Sequence, residues 1–290
     1  MLREFIRQHQ LSSNFKVSVD SYYQPLCEKI KTYRDQAEKP LFIGINGCQG
    51  SGKSTLAAFI REYLAFHYQL NIVVVSLDDF YLNQTKRSEL AQTVHPLLVT
   101  RGVPSTHDTT QLKAFLKQLR LNTGKICIPR FNKATDNPLP KNQWPVTSAP
   151  VDIVILEGWC WGVNEQTQQQ LEPPVNQLER EKDPDGLWRY YINQQLAEHY
   201  QPLYRHFDYW LMLKAPSFDN VYAWRLEQEK KLKRQTVANQ GHGIMSSEQI
   251  KAFIQHYQRL TEHALTTLPK RCDHVYELDS KRNIVQHLEK

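Results

Sequence analysis

The stretch Gly47-Cys48-Gln49-Gly50-Ser51-Gly52-Lys53-Ser54 satisfies the pattern G-x-x-x-x-G-K-[ST] in full. It constrains the fold more than any other feature, because its chemistry requires three things in a fixed order. An apolar strand leads in, glycines let backbone N–H groups wrap a phosphate, and a helix follows with its positive N-terminal end toward the anion. The flanks meet this demand. Leu41–Asn46 is an apolar run, and Leu56, Ile60 and Leu64 recur at helical spacing beyond the loop. In such a loop Lys53 reaches the β/γ-phosphates of a nucleotide and the Ser54 hydroxyl ligates Mg²⁺. The nucleotide-binding set is therefore Gly47 through Ser54 together with Thr55, and Cys48 is expected to turn its side chain away.

The rest of the chain alternates strand and helix signals. Residues 1–38 read as helical, with Tyr22, Leu26, Ile30 and Tyr33 on one face. Further strands are expected at Ile72–Leu77, Val151–Leu156, Tyr209–Leu213 and Val275–Leu278, with a short one at Ile126–Ile128. Helices are expected after Asp108 (Leu112, Phe115, Leu116 and Leu119 on one face), near Leu187–Tyr200, from Ser217 to about Gln235, and from Ser246 to about Leu268. Ser246 and Gln249 have capping-box spacing. This alternation implies right-handed βαβ crossovers and a mostly parallel sheet, in which ligands sit beyond the carboxyl ends of the strands. Polar motifs do follow the apolar runs: Gly47–Ser54 after the first, Asp78 and Asp79 after the second, Glu157 after the third.

Each of these placements suggests a role. Asp78 and Asp79, in Ser76-Leu-Asp-Asp-Phe-Tyr81, offer a general base and an orienting or metal-binding group. Glu157, closing Val151-Asp-Ile-Val-Ile-Leu-Glu157, suits a metal or its water, whereas Asp152 lies near the strand's start and reads as structural. Arg101, His107 and Asp108 lie in Arg101-Gly-Val-Pro-Ser-Thr-His-Asp108, and guanidinium binds carboxylate bidentately, so this segment suits an anionic substrate. Asp108 with Gln111 three residues on equally suits a plain helix cap. Arg130 and Lys133 are read as either surface cations or substrate clamps. Asn132-Lys133-Ala-Thr135 lacks the acidic residue of the guanine-reading N-K-x-D. Arg225 is the first arginine of a basic helix that otherwise reads as a solvated face, and it suits contact with a transferring phosphoryl group.

Composition narrows the classes. Across 290 residues, 40% hydrophobic and 23% charged composition supports a folded core and excludes global disorder. The mean hydropathy is −0.59 and no apolar run approaches membrane-spanning length, so no membrane segment or secretory leader is expected. Five cysteines without a CxxC pair fit a reducing cytoplasm. The net charge of +6 is compatible with nucleic acid but equally with small anionic substrates. A nucleic-acid role rests on that charge and the basic helix alone, and it ranks below the others.

Taken in order, the G-x-x-x-x-G-K-[ST] loop, S-x-DDFY, RG-x-P-x-THD, EGW and WRLxQE resemble the P-loop kinases of the D-glycerate 3-kinase type, a group similar to uridine kinase, phosphoribulokinase and pantothenate kinase. Glu157-Gly-Trp-Cys-Trp-Gly162 and Pro174-Val-Asn-Gln-Leu-Glu179 resemble its bacterial members. The resemblance covers about residues 40–280. It implies an α/β P-loop NTPase fold of three layers, α/β/α, with five parallel strands in the order 2-3-1-4-5 and a helical lid. It divides the chain into an N-terminal helical segment, 1–38, and a kinase domain, 39–290, with a basic lid helix near 217–245. It also implies ATP and Mg²⁺, with a small hydroxyl acceptor, most simply an anionic hydroxy acid such as D-glycerate. Asp78 falls on the acceptor-activating carboxylate, and Arg101, His107, Asp108 and Lys133 fall in segments that shape the acceptor pocket. Ser105 replaces a usual glycine, the usual Y-D-K-S becomes Phe131-Asn132-Lys133-Ala134, and the usual G-D-R is not intact around Asp136-Asn137. Uridine- or pantothenate-type kinases remain alternatives within the group, with Tyr81 and Phe131 available to stack on a base. A regulatory ATPase without a small acceptor is the competing class; Asp78 weighs against it, and no glutamine or arginine-finger pattern for activating water is evident.

Overall fold

The structure is a computed structural model that describes residues 1–236 and 245–290, with backbone only at 231–236. The apolar runs form the central sheet. β1 (Leu41–Gly47), β2 (Ile72–Ser76), β3 (Ile153–Gly158), β4 (Tyr209–Lys214) and β5 (His274–Leu278) lie in the spatial order β2-β3-β1-β4-β5, every neighbouring pair parallel. This is the order 2-3-1-4-5. The count of five needs correction, because β6 (Ile284–Glu289) adds an antiparallel edge beside β5. An edge strand has one neighbour, so β6 carries no continuous apolar run, and its residues are half-buried or exposed. The strand expected at Ile126–Ile128 forms at Lys125–Cys127, outside the main sheet, in a two-stranded ribbon with Val146–Ser148.

Every residue of β1 and β3 is buried, as strands covered on both faces require. On one face, Ile43, Ile45, Ile153 and Ile155 pack with helices α1 (Gln24–Gln36) and α2 (Lys53–Tyr68) through Leu26, Ile30, Phe59 and Leu64. On the other, Phe42, Val73, Val75 and Val154 pack with α3 (Thr109–Leu121) and α6 (Ser247–Thr267) through Leu112, Leu116, Leu260 and Ala264. The switch of face between Phe42 and Ile43 is the period-two alternation of a strand. Each such buried side chain contributes on the order of 1.5–3 kcal/mol. Gly44 is glycine for a steric reason: a Cβ there would lie 2.6 Å from the Trp210 ring.

The first 38 residues are helical in pieces, Leu2–Gln8, Phe15–Ser18 and α1, with a π-helical turn at Val19–Tyr23. Phe5, Val19 and Tyr23 join the same apolar cluster as Phe59 of α2. Further along, α4 (Leu187–Gln195) passes into a π turn ending at Tyr200, and α5 (Phe218–Thr236) is the expected basic helix. Of the lid expected near 217–245, residues 237–244 lie outside the described residues. Ser246 and Gln249 close the predicted capping box at the start of α6. No helix among the described residues is long and apolar enough to cross a membrane.

Register places the site. Ile45 of β1 pairs with Glu157 of β3, which pairs with Ser76 of β2. The loops after all three strands therefore open on one edge of the sheet.

Candidate active site

The glycine-rich loop leaves β1 and turns at Gly50 (φ +80) and Gly52 (φ +99), values that favour glycine, before α2 begins at Lys53. The Ser51 N–H donates to the Cys48 carbonyl at 3.2 Å. Gln49 Oε1 and Ser51 Oγ are buried without a hydrogen-bond partner. Cys48 is buried, and burial pushes its thiol up to about 12, so it stays protonated and turned away from redox chemistry.

Ser54 Oγ donates a 2.7 Å hydrogen bond to Glu157 Oε1. Lys53 Nζ stands 3.7 Å from Glu157 Oε2, which is buried and accepts no hydrogen bond. Burial opposes the charge on Lys53, yet Glu157 and Asp78 more than offset it and raise the pKa. The loop cation and the strand-end carboxylate thus meet in a little-exposed, strongly polar corner of the cleft.

The two aspartates separate. Asp78 Oδ1 accepts from the Tyr81 hydroxyl at 2.8 Å, and Oδ2 lies 2.6 Å from Lys133 Nζ. Burial would hold this carboxyl up, but the Lys133 and Lys53 charges outweigh it and bring the pKa down to about 2. Asp79 also borders the cleft, but its Oδ2 accepts from the Ser76 N–H at 2.9 Å and from Arg130 at 3.1 Å. It closes a capping box at the end of β2. Arg130 further donates to the Val74 carbonyl, so this cation is structural.

These groups line one cleft of about 460 Å³, which also takes in Arg101, Arg225 and Gln228. Arg101 pairs with Asp136, which also binds Arg87, and its guanidinium sits 6.0 Å from the Tyr81 ring and 5.7 Å from Phe131. Arg225, on α5, pairs with Glu229 at 2.9 Å. Two expected acceptor residues are not in the lining. His107 is buried behind Tyr81, stacked on its ring at 4.6 Å, with Nδ1 2.7 Å from the Tyr200 hydroxyl. Burial brings its pKa down to about 3, so the ring is neutral. Asp108 is the N-cap of α3, accepting from the Gln111 N–H at 2.8 Å.

Sequence reasoning missed the aromatic wall of Trp159, Phe253 and Tyr257. Trp159 Nε1 donates to the Gly102 carbonyl at 2.9 Å and the Tyr257 hydroxyl to the Arg101 carbonyl at 3.0 Å, so the wall also fixes the Arg101 loop. Phe253 and Tyr257 lie on the apolar face of α6, and that periodicity does not distinguish a cleft from a core. Ser105, where the resemblance leads one to expect glycine, has φ +89, a value that favours glycine.

A phosphate-binding loop on a central strand of a mostly parallel sheet, with carboxylates at the end of β3 beside it and just after β2 beyond, defines a P-loop kinase fold. Residues 42–175 match the Phosphoribulokinase / Uridine kinase family. The chain is 32% identical over 260 residues to the uncharacterized kinase mug58 of Schizosaccharomyces pombe, covering 85% of this chain and 90% of that one. It is 27% identical over 238 residues to the chloroplastic D-glycerate 3-kinase of Arabidopsis thaliana, covering 79% of this chain but 48% of the relative, so it spans about half of that protein's length. Among solved structures, D-glycerate 3-kinase from Cryptococcus neoformans var. grubii superposes with a TM-score of 0.77 at 25% identity, over 93% of this chain and 99% of that one. The chain belongs to the phosphoribulokinase/uridine kinase family. It is an ATP-dependent phosphotransferase acting on a small molecule, of a family that uses ATP with a divalent metal.

Proposed function

We propose that this kinase transfers the γ-phosphoryl group of ATP to a hydroxyl of a small anionic hydroxy acid, D-glycerate giving 3-phosphoglycerate. One observation carries the reading: Asp78 shares the cleft with the loop cation Lys53 on one side and with Lys133 and Arg101 on the other. The first pairing suits a base beside a phosphoryl donor. The second suits an acceptor carboxylate. The likeness to two D-glycerate 3-kinases supports the same choice.

Each residue then has a task. Amide N–H groups at the start of α2 cradle the phosphates, and Lys53 neutralises charge as the γ-phosphoryl group leaves. Ser54 Oγ and the two Glu157 oxygens, one of them buried without a hydrogen bond, fit a divalent cation and would hold Mg²⁺. Bound there, Mg²⁺ supplies charge neutralisation across the phosphates. Tyr81 fixes Asp78 Oδ1, leaving Oδ2 to take the acceptor's proton once Lys133 shifts to the acceptor carboxylate. Arg101, held by Asp136, binds that carboxylate, and Arg225 faces the transferring group from α5. Asp79 borders the pocket, and His107 and Asp108 support it from behind. The kinase unit spans 39–290, with 1–38 packed on α2, and the five free cysteines accord with a cytoplasmic setting.

Five aromatic rings in the lining (Tyr81, Phe131, Trp159, Phe253 and Tyr257) favour a second reading, a ring-bearing acceptor of the uridine type. Initial rates of ADP formation with D-glycerate, uridine and pantothenate, each product identified by mass spectrometry, separate the readings. The proposal expects D-glycerate to give the highest kcat/KM, and a preference for uridine overturns it.

A further inference from the structure

The carbonyls of a phosphate loop point away from the phosphate, and the groups that bind them hold the loop in place. At the apex of this loop the partner comes from 232 residues away: Arg282 Nε donates to the Gly50 carbonyl at 2.7 Å. The same guanidinium donates through Nη1 to Glu227 of α5 at 2.8 Å and lies 5.2 Å from the Trp224 ring, also on α5. Trp224 in turn donates from Nε1 to the Ser280 carbonyl at 2.7 Å, and a Cβ on Gly50 would lie 2.7 Å from the Trp224 Cβ. Loop apex, helix α5 and the β5–β6 turn therefore meet at one arginine.

The turn is built to present it. Arg282 has φ +68, a conformation that side chains other than glycine and asparagine rarely adopt. It is held there by the Asp279 carbonyl, which accepts the Arg282 N–H at 3.0 Å, while the Asp279 carboxylate accepts the Lys281 and Asn283 N–H groups at 2.8 Å. The Gly50 carbonyl and the Ser51 N–H are the two ends of one planar peptide. Arg282 fixes the first end and the Cys48 carbonyl the second, so the plane of the loop apex cannot swing. Since α5 also carries Arg225, one of the cations lining the cleft, Arg282 sets the distance between the phosphate loop and the helix beside it.

We infer that Arg282 is a positioning residue for ATP, holding the phosphate loop and α5 in fixed relation without touching the acceptor. The inference rests on Gly47–Thr55 being the ATP phosphate loop, and Lys53→Ala in the same assay tests that separately. The experiment measures kcat, KM for ATP, KM for the acceptor and thermal midpoint for Arg282→Ala, Arg282→Lys and Lys53→Ala. Arg282→Ala should raise KM for ATP about tenfold with the acceptor KM within twofold of wild type and the midpoint little changed. Arg282→Lys should recover only part of the loss, because an ammonium cannot serve the carbonyl, Glu227 and the Trp224 face together. If Arg282→Ala keeps the wild-type KM for ATP while Lys53→Ala abolishes turnover, the positioning role is overturned and the loop assignment stands. If Lys53→Ala is also unaffected, both fall. A loss in Arg282→Ala spread equally over ATP and acceptor, with a lowered thermal midpoint, makes the contact structural and overturns the inference.

Discussion

Lys133 Nζ lies 2.6 Å from Asp78 Oδ2, so the candidate base is covered by a cation on the side from which an acceptor would approach. The pair has a consequence for pH. The charges of Lys133 and Lys53 outweigh burial and depress the Asp78 pKa to about 2. The pairing therefore contributes fully above the ordinary carboxylate range and is lost only as pH falls through about 2. Lys133→Ala removes one of the two cations, so the Asp78 pKa should rise and the acid limb of kcat/KM should move to higher pH. The acceptor KM should also rise if the acceptor carries a carboxylate. A pH–rate profile of this variant superimposable on wild type would show that Asp78 and Lys133 do not act as a pair.

A second expectation concerns Ser54 and Glu157, in hydrogen-bond contact at 2.7 Å though 103 residues apart in sequence. Ser54→Ala and Glu157→Gln should each raise the Mg²⁺ concentration needed for half-maximal activity. Thermal stability should change little, because a strand-end carboxylate contributes little packing. Titrating Mg²⁺ at fixed ATP reads the effect, and an unchanged requirement in both variants would leave Glu157 as a plain hydrogen-bond acceptor.

Asp79 should behave differently from its neighbour. Asp79→Asn keeps an acceptor for the Ser76 N–H but removes the charge that Arg130 binds. Burial outweighs the Arg130 charge at Asp79 and raises its pKa, so the ionised pair adds little net stability and the variant should melt close to wild type, while kcat falls far less than in Asp78→Asn. Parallel melting curves and steady-state rates check the asymmetry. Equal loss of kcat in both variants would leave the base unassigned.

Ser105 provides a stability test independent of activity. Its φ of +89 is one that glycine adopts freely, and its hydroxyl is buried without a partner. Ser105→Gly relieves roughly 1–2 kcal/mol of left-handed backbone cost. It also removes an unsatisfied group worth about 1–3 kcal/mol. Against these, glycine's greater unfolded-state freedom costs about 0.5–1 kcal/mol. The variant should therefore unfold at a higher denaturant midpoint than wild type; a lower midpoint would mean that the hydroxyl has a partner.

These contacts also show what the sequence could reveal and why. The loop, Asp78 and Glu157 were legible because each ends an apolar run of a parallel sheet, and strand-end geometry alone brings them together. The acceptor side was not, because it is assembled from loops and helix faces. Asp108 has the spacing of both a helix cap and a ligand, and only the Gln111 N–H decides between them. His107 points behind Tyr81. Asp136 looked like a broken motif, yet it holds both Arg87 and Arg101. β6 escaped notice because a half-exposed edge strand needs neither an apolar run nor strict alternation.

The central claim is phosphoryl transfer to an alcohol activated by Asp78, and the most direct measurement follows ADP and phosphorylated acceptor together, in wild type and Asp78→Asn, with and without D-glycerate. A positioned carboxylate base contributes about 10²–10⁴-fold. The account predicts one phosphoglycerate per ADP in wild type, negligible ADP without acceptor, and a fall of that size in Asp78→Asn with little change in ATP affinity. ADP formation at the same rate whether or not an acceptor is present, and unchanged in Asp78→Asn, would contradict it.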